Sequence, residues 1–208
     1  MAKLLYIKAS PRDRSKSTRV AQAFLESYRS SHPGDEVVTL DLFEADLPKF
    51  DGHTIQAKYT LMHGQEHTPE ERLAWDLVEK LIADFKSADK YLLSVPMWNF
   101  SIPYRLKQYI DNLVQPGYTF NVSEGGYEGL VKGKPLMTIY ARGGVYSEGS
   151  GKETLDFQKK YIDVVFGFMG FENIQSIVAE PTLQGSPEAI EAGVKEAIEQ
   201  AEKQAKEF

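Results

Sequence analysis

Lys3-Leu4-Leu5-Tyr6-Ile7-Lys8, followed by Ala9-Ser10-Pro11-Arg12-Asp13-Arg14-Ser15-Lys16-Ser17-Thr18, is the stretch that decides the fold. Its first six residues are apolar and β-prone and read as a buried strand. A polar loop runs from Ala9 to Ser17. A helix follows from about Thr18 to Ser30, with Val20, Ala21, Phe24, Leu25 and Tyr28 at helical spacing, and His32-Pro33-Gly34 ends it.

The same alternation continues outward from this unit. Strands are expected over Glu36–Leu42, Tyr91–Val95, Pro135–Tyr140 and Asn173–Ala179. Between them, Thr68-Pro69-Glu70-Glu71 starts a helix that continues to Phe85, with a threonine cap, proline in the first turn and acids at the positive dipole end. Further helices are expected over Pro103–Val114, over Leu155–Met169 and after Ser186-Pro187-Glu188. Tyr118–Val122 is expected to form a short hairpin with Tyr127–Leu130. Leu47–His67, broken by Pro48 and Gly52, reads as an excursion over the surface rather than a core element. Strand and helix in alternation indicate a single α/β domain over residues 1–208 with a doubly wound, five-stranded parallel sheet.

Composition narrows the function. The 208 residues are 42% hydrophobic, enough for a full core, and the net charge of −6 disfavours a nucleic-acid partner. A local basic cluster remains at Arg12, Arg14, Lys16 and Arg19. The absence of cysteine removes disulfides, thiolate catalysis and cysteine-ligated iron–sulfur clusters, and with them a thiolate-dependent phosphatase of similar topology. No signal segment or membrane span is visible, so a cytoplasmic location without membrane attachment is expected.

A doubly wound sheet binds its ligand beyond the carboxyl ends of its strands. The loops after the first, third and fourth strands are therefore the candidates. The first, Ser10–Thr18, enters a helix N-terminus and is rich in hydroxyls, which suits an anion. It lacks the glycines of a Walker A loop or a dinucleotide fingerprint. Its plain alternative is a polar turn capped by Ser17. The second, Pro96-Met97-Trp98-Asn99-Phe100-Ser101-Ile102-Pro103, puts aromatic residues where polar ones are usual. It suits a flat apolar ligand edge, or else Trp98 and Phe100 cap the core. The third, Ala141-Arg142-Gly143-Gly144-Val145-Tyr146, carries paired glycines that permit close backbone approach, or a simple turn.

At these residues the sequence resembles the FMN-dependent NADH-azoreductase (NADH:quinone oxidoreductase) family, a flavodoxin-like group. The resemblance covers essentially the whole chain. Its most specific parts are Pro96–Phe100 with Ile102-Pro103, Leu106-Lys107 and Asp111, then Gly125–Leu130, Ala141–Gly144 and Phe166–Phe171. It implies a flavodoxin-like sheet in the order 2-1-3-4-5 with helices on both faces. It also implies a tightly bound FMN, NADH or NADPH as electron donor, and two-electron ping-pong reduction of quinones and azo compounds. Ser10, Ser15, Lys16 and Ser17 would hold the phosphate. Met97, Trp98, Asn99 and Phe100 would line one edge of the isoalloxazine. Ala141, Arg142, Gly143 and Gly144 would meet its polar rim. Phe120, Tyr127, Tyr146 and Phe166 are candidates for the substrate face, and no residue is assigned an acid–base role. A homodimer is implied. Trp98 and Ala141 depart from the tyrosine and serine common at those places, which bears on substrate preference.

Two other readings compete. One is a flavodoxin-type FMN electron carrier without NAD(P)H turnover, against which the segments Leu47–His67 and Gly117–Gly133 argue. The other is a zinc site at His63-Gly64-Gln65-Glu66-His67, which Gly64 and Pro69 weaken, so no metal is expected.

Overall fold

Odd and even residues of β1 (Lys3–Lys8) go to opposite layers, as the twofold period of a strand requires. Leu5 and Ile7 join a core with α3 (Pro69–Lys86), α4 (Tyr104–Leu113) and α5 (Phe157–Met169). Leu4 and Tyr6 face the other way, against α1 (Lys16–Ser31) and α6 (Pro187–Gln204). Both sides of the strand are dry, which is why its sequence reads as one apolar run.

The computed structural model describes residues 1–208. The remaining sheet strands are β2 (Glu36–Asp41), β3 (Lys90–Pro96), β6 (Leu136–Ala141) and β7 (Ile174–Ala179), and the order is β2-β1-β3-β6-β7. All pairings are parallel, with Tyr6 opposite Thr39 and Leu92, and Ile139 opposite Ser94 and Ile177. Between β3 and β6 the chain makes a separate hairpin, β4 (Phe120–Ser123) with β5 (Gly126–Gly129). Counting sheet strands alone, the order is the flavodoxin-like 2-1-3-4-5 implied by the resemblance.

Two local expectations are corrected. The first helix begins at Lys16, and its cap is Ser15, whose Oγ accepts from Thr18 N–H; Ser17 lies inside the first turn. The segment 47–67 is not merely a surface excursion. Gly52–Met62 forms α2, capped by the Asp51 carboxylate, and Leu47 and Ala57 belong to the core. Its inward side is made of small residues, Thr54, Ala57 and Thr60, while Ile55, Tyr59 and Met62 are exposed. An apolar stripe was therefore not there to be read. The His63–His67 stretch follows directly on α2. His63 caps the end of α2, Gly64 turns the chain with φ +68°, and His67 Nε2 lies 2.8 Å from the Ala57 carbonyl.

Candidate active site

The strand-to-helix junction after β1 buries its hydroxyls. Ser10, Ser15, Ser17 and Thr18 are all buried, although each is polar. Ser15 Oγ lies 3.1 Å from Ser17 Oγ, and Thr18 Oγ1 has no hydrogen-bond partner in the chain. The N–H groups of Lys16 and Ser17, in the first turn of α1, have no acceptor either. Free donors at a helix N-terminus favour an anion. Beneath them, the Tyr6 hydroxyl and Ser94 Oγ are 2.9 Å apart, and burial raises the Tyr6 phenol above its ordinary value.

A cavity of about 200 Å³ opens at this junction. Loop one contributes Ser10, Arg12, Arg14, Ser15 and Lys16. The far side is Pro96, Met97 and Trp98 from loop two, with Ala141 and Gly143 from loop three. No carboxylate lines it. Hydroxyls, free amides and cations without a competing acid form a donor set that suits a phosphate. The apolar wall of Met97 and Trp98 suits a flat ring beside it.

Loop two is held in an unusual conformation. Asn99 and Phe100 have φ of +48° and +70°, and Trp98 and Ser101 exchange both backbone hydrogen bonds at 2.9 and 3.0 Å. This is a type I′ turn, which favours Asn at its first central position and Gly rather than Phe at its second. A non-glycine residue in the left-handed region costs roughly 1–2 kcal/mol. Two bonds hold the turn in place: Met97 N–H donates to Ala141 O at 2.8 Å, and Phe157 N–H donates to Phe100 O at 3.0 Å. Trp98 packs on Phe43 and Tyr104, with ring centres 5.8 and 6.4 Å away. It forms a partition between the smaller cavity and a cleft of about 800 Å³, which Asn99, Tyr104 and Tyr161 also line. Burial and the nearby Asp111 carboxylate push the Tyr161 phenol up to about 12.

The candidate residues do not all converge. Ser10, Ser15, Lys16, Met97, Trp98, Ala141 and Gly143 share the smaller cavity. Ser17 lies just behind Ser15, and Asn99 faces the larger cleft. Phe100 is half exposed and meets Tyr146 edge to face, with ring centres 6.2 Å apart, so Tyr146 does stand beside loop two. Gly144 lies off the cavity, where an added Cβ would come within 2.6 Å of Gln184 Oε1.

The Arg142 side chain does not line the cavity and is a buried support. Its guanidinium turns into the protein and donates to Asp156 at 2.6 Å, Gln158 at 3.1 Å and Glu180 at 3.4 Å. Gln158 Nε2 in turn donates to Val95 O at 2.9 Å, and the Glu180 carboxylate accepts from Tyr146 and Ser147 N–H at 3.0 Å each. One side chain thus ties together the ends of β3, β6 and β7 and the start of α5. Phe166 is a fully buried core residue 5.3 Å from Phe171. Phe120 and Tyr127 pack on Phe168 near the far end of α5, where Val131 N–H donates to Met169 O at 2.8 Å. That is the opposite end of the sheet, so within one chain neither reaches the three loops.

A fourth loop escaped the sequence reading. Thr182 and Leu183, after β7, also line the cavity. Their N–H groups donate to Arg142 O at 2.8 Å and Gly143 O at 3.0 Å, closing loop three against loop four. The available signal was Glu180-Pro181, a turn mark directly after the last strand.

The flavodoxin-like fold family matches residues 2–205. A protein of Nitratidesulfovibrio vulgaris (strain Hildenborough), named FMN-dependent NADH:quinone oxidoreductase, is 51% identical over 209 residues and covers 100% of both chains. A protein of the same name from Desulfotalea psychrophila is 52% identical over 188 residues, covering 89% of this chain and 88% of that one. Among solved structures, an azoreductase from Bacillus anthracis str. Sterne superposes with a TM-score of 0.92 at 36% identity, over 100% of both chains. An FMN-dependent NADH-azoreductase from Bacillus anthracis str. Ames Ancestor, solved in complex with FMN, gives 0.87 at 32% identity, over 99% of this chain and 100% of that one.

Proposed function

The chain belongs to the FMN-dependent NADH:quinone oxidoreductase family of flavodoxin-like fold, and from that premise we propose that it is an FMN enzyme passing electrons from NADH or NADPH to quinones and azo compounds by ping-pong exchange. The observation that carries the reading is the cavity at the N-terminus of α1, where buried hydroxyls, free amides and three cations meet the apolar wall of loop two.

In this reading Ser10, Ser15 and Lys16 hold the phosphate together with the first amides of α1. Met97 and Trp98 bear on one edge of the ring system, and the backbone around Ala141 and Gly143 meets its polar rim. Bound at these residues, FMN would supply two-electron redox chemistry between nicotinamide and acceptor. The protein binds, orients and excludes water. Trp98 fixes the wall between ring and cleft, and the cleft provides space for donor and acceptor in turn. No side chain is given a proton-transfer role. The working form is read as a homodimer in the cytoplasm. Exposed Tyr104 and Phe100 beside the cleft support an assembly that covers them. No helix is long and apolar enough to cross a membrane.

Steady-state kinetics of the FMN-loaded protein test the exchange. Varying NADH at several fixed quinone concentrations is expected to give parallel double-reciprocal lines. Intersecting lines would refute ping-pong order. A flavin that NADH cannot reduce would leave only an electron carrier.

A further inference from the structure

The three cations of the phosphate cavity are not equivalent. Lys16 sits on the first turn of α1, whereas Arg12 and Arg14 lie on the preceding loop and are exposed. Neither guanidinium makes a hydrogen bond or ion pair within the chain. The nearby Arg19, by contrast, is paired with Glu191 at 3.0 Å. Both free arginines line the cavity that holds Ser10 and Ser15, and no carboxylate lines it with them. Asp13 stands between them in sequence but is not part of the lining. In a chain of net charge −6, this concentration of unpaired positive charge around a small polar cavity calls for an anion.

We propose that Arg12 and Arg14 form a two-guanidinium clamp over a phosphate monoester seated at the α1 N-terminus, and that this clamp makes the site select the phosphorylated flavin over riboflavin. The inference rests on the proposed function, because the monoester in question is that of FMN. Such a group carries about −1.5 to −2 charges at neutral pH. The hydroxyls and amides of the junction supply hydrogen bonds but no formal charge. Lys16 supplies one positive charge, and the two arginines supply the rest of the countercharge. Guanidinium groups also match the geometry of phosphate oxygens by paired N–H donation. Because the clamp arms are exposed, they close on the phosphate from outside and leave the ring end of the site untouched. The same chemistry exists in the 2′-phosphate of NADPH, so the test separates the two sources.

Isothermal titration of the flavin-free protein with FMN and with riboflavin is the experiment, using wild type, R12Q, R14Q and R12Q/R14Q. The double variant is expected to bind FMN on the order of 10- to 100-fold more weakly, with riboflavin affinity changed less than about twofold. Its FMN affinity should also depend less on salt. Urea midpoints are expected to match wild type, since neither side chain makes an internal bond, and the single variants should give intermediate losses. Equal loss of FMN and riboflavin affinity, or no loss of either, would overturn the clamp while leaving the proposed function intact. A changed NADPH-to-NADH preference with unchanged FMN affinity would also overturn it, by assigning the arginines to the dinucleotide. Wild-type protein that binds neither flavin would sink both readings.

Discussion

Replacing Arg142 by methionine tests how the site is held together. The side chain is 1% exposed, and its carboxylate partners Asp156 and Glu180 are 9% and 8% exposed. Methionine fills most of the volume of the stem but leaves two buried carboxylates without their cation. Removing one partner of a buried ion pair costs about 3–5 kcal/mol, mostly from the charge left behind. For a chain of this size each kcal/mol lowers Tm by about 2–4 °C, so R142M should melt roughly 6–20 °C below wild type. Urea denaturation followed by tryptophan fluorescence, together with calorimetry, measures this. A second change sharpens the attribution. Asp156→Asn keeps a side-chain acceptor for the N–H groups of Gln158 and Lys159 at the start of α5, but removes one stranded charge. R142M/D156N should therefore recover about 0.5–3 kcal/mol relative to the sum of the single changes. Stability of R142M within about 1 kcal/mol of wild type, or strictly additive single changes, would refute the buried-support assignment.

Gly129→Ala should destabilise by about 1–3 kcal/mol or more, because its Cβ would fall 2.3 Å from the Gly170 backbone nitrogen; a urea midpoint equal to wild type would contradict this contact. Phe100→Gly should raise stability by up to about 1 kcal/mol, since glycine relieves the left-handed φ of +70° at some cost in chain entropy. A marked fall in the urea midpoint would show instead that the ring's contacts outweigh the strain. Asp35 accepts from Ala2 N–H and the Tyr28 hydroxyl at 2.7 Å each, with Lys90 at 3.8 Å, and the first two bonds hold its carboxyl below the usual carboxylate range. A lowered folded value means that this stabilisation is complete above the unfolded value of about 3.9 and fades as pH falls through the folded one. D35N should lose stability at neutral pH and show a shallower acid limb in urea midpoints measured down the acid range. An unchanged acid limb would exclude Asp35 as a contributor.

How much was legible in the sequence follows from how local each signal is. Strands buried on both faces, such as Leu4–Ile7 and Tyr91–Val95, announce themselves as short apolar runs, and the capping pattern at Thr68-Pro69-Glu70-Glu71 marks its helix start directly. Given a parallel sheet, the loops to search follow from geometry alone, and three of them do surround one cavity. What was not legible depends on distant partners. Arg142, followed by two glycines at a strand end, has the local look of a ligand contact. Its actual partners lie 14, 16 and 38 residues away. α2 was obscured because it buries threonine and alanine and exposes its large side chains. Phe166 could have been read correctly. With Ile162 and Met169 it follows the helical spacing of a core stripe, and that periodic signal outweighs the appeal of an aromatic near a motif. The fourth loop follows the edge strand β7, and beyond the turn at Glu180-Pro181 its lining pair Thr182-Leu183 carries no local mark of a ligand contact.

On the proposed reading, the cavity at the carboxyl ends of β1, β3 and β6 holds an FMN that a reduced nicotinamide can reduce. Anaerobic titration of the FMN-reconstituted protein with NADH, followed by flavin absorbance, tests it most directly. One flavin is expected to bind per chain, to be fully bleached by a stoichiometric amount of NADH and to be restored by added quinone. Protein that takes up no FMN, or bound flavin whose absorbance NADH leaves unchanged, would contradict it.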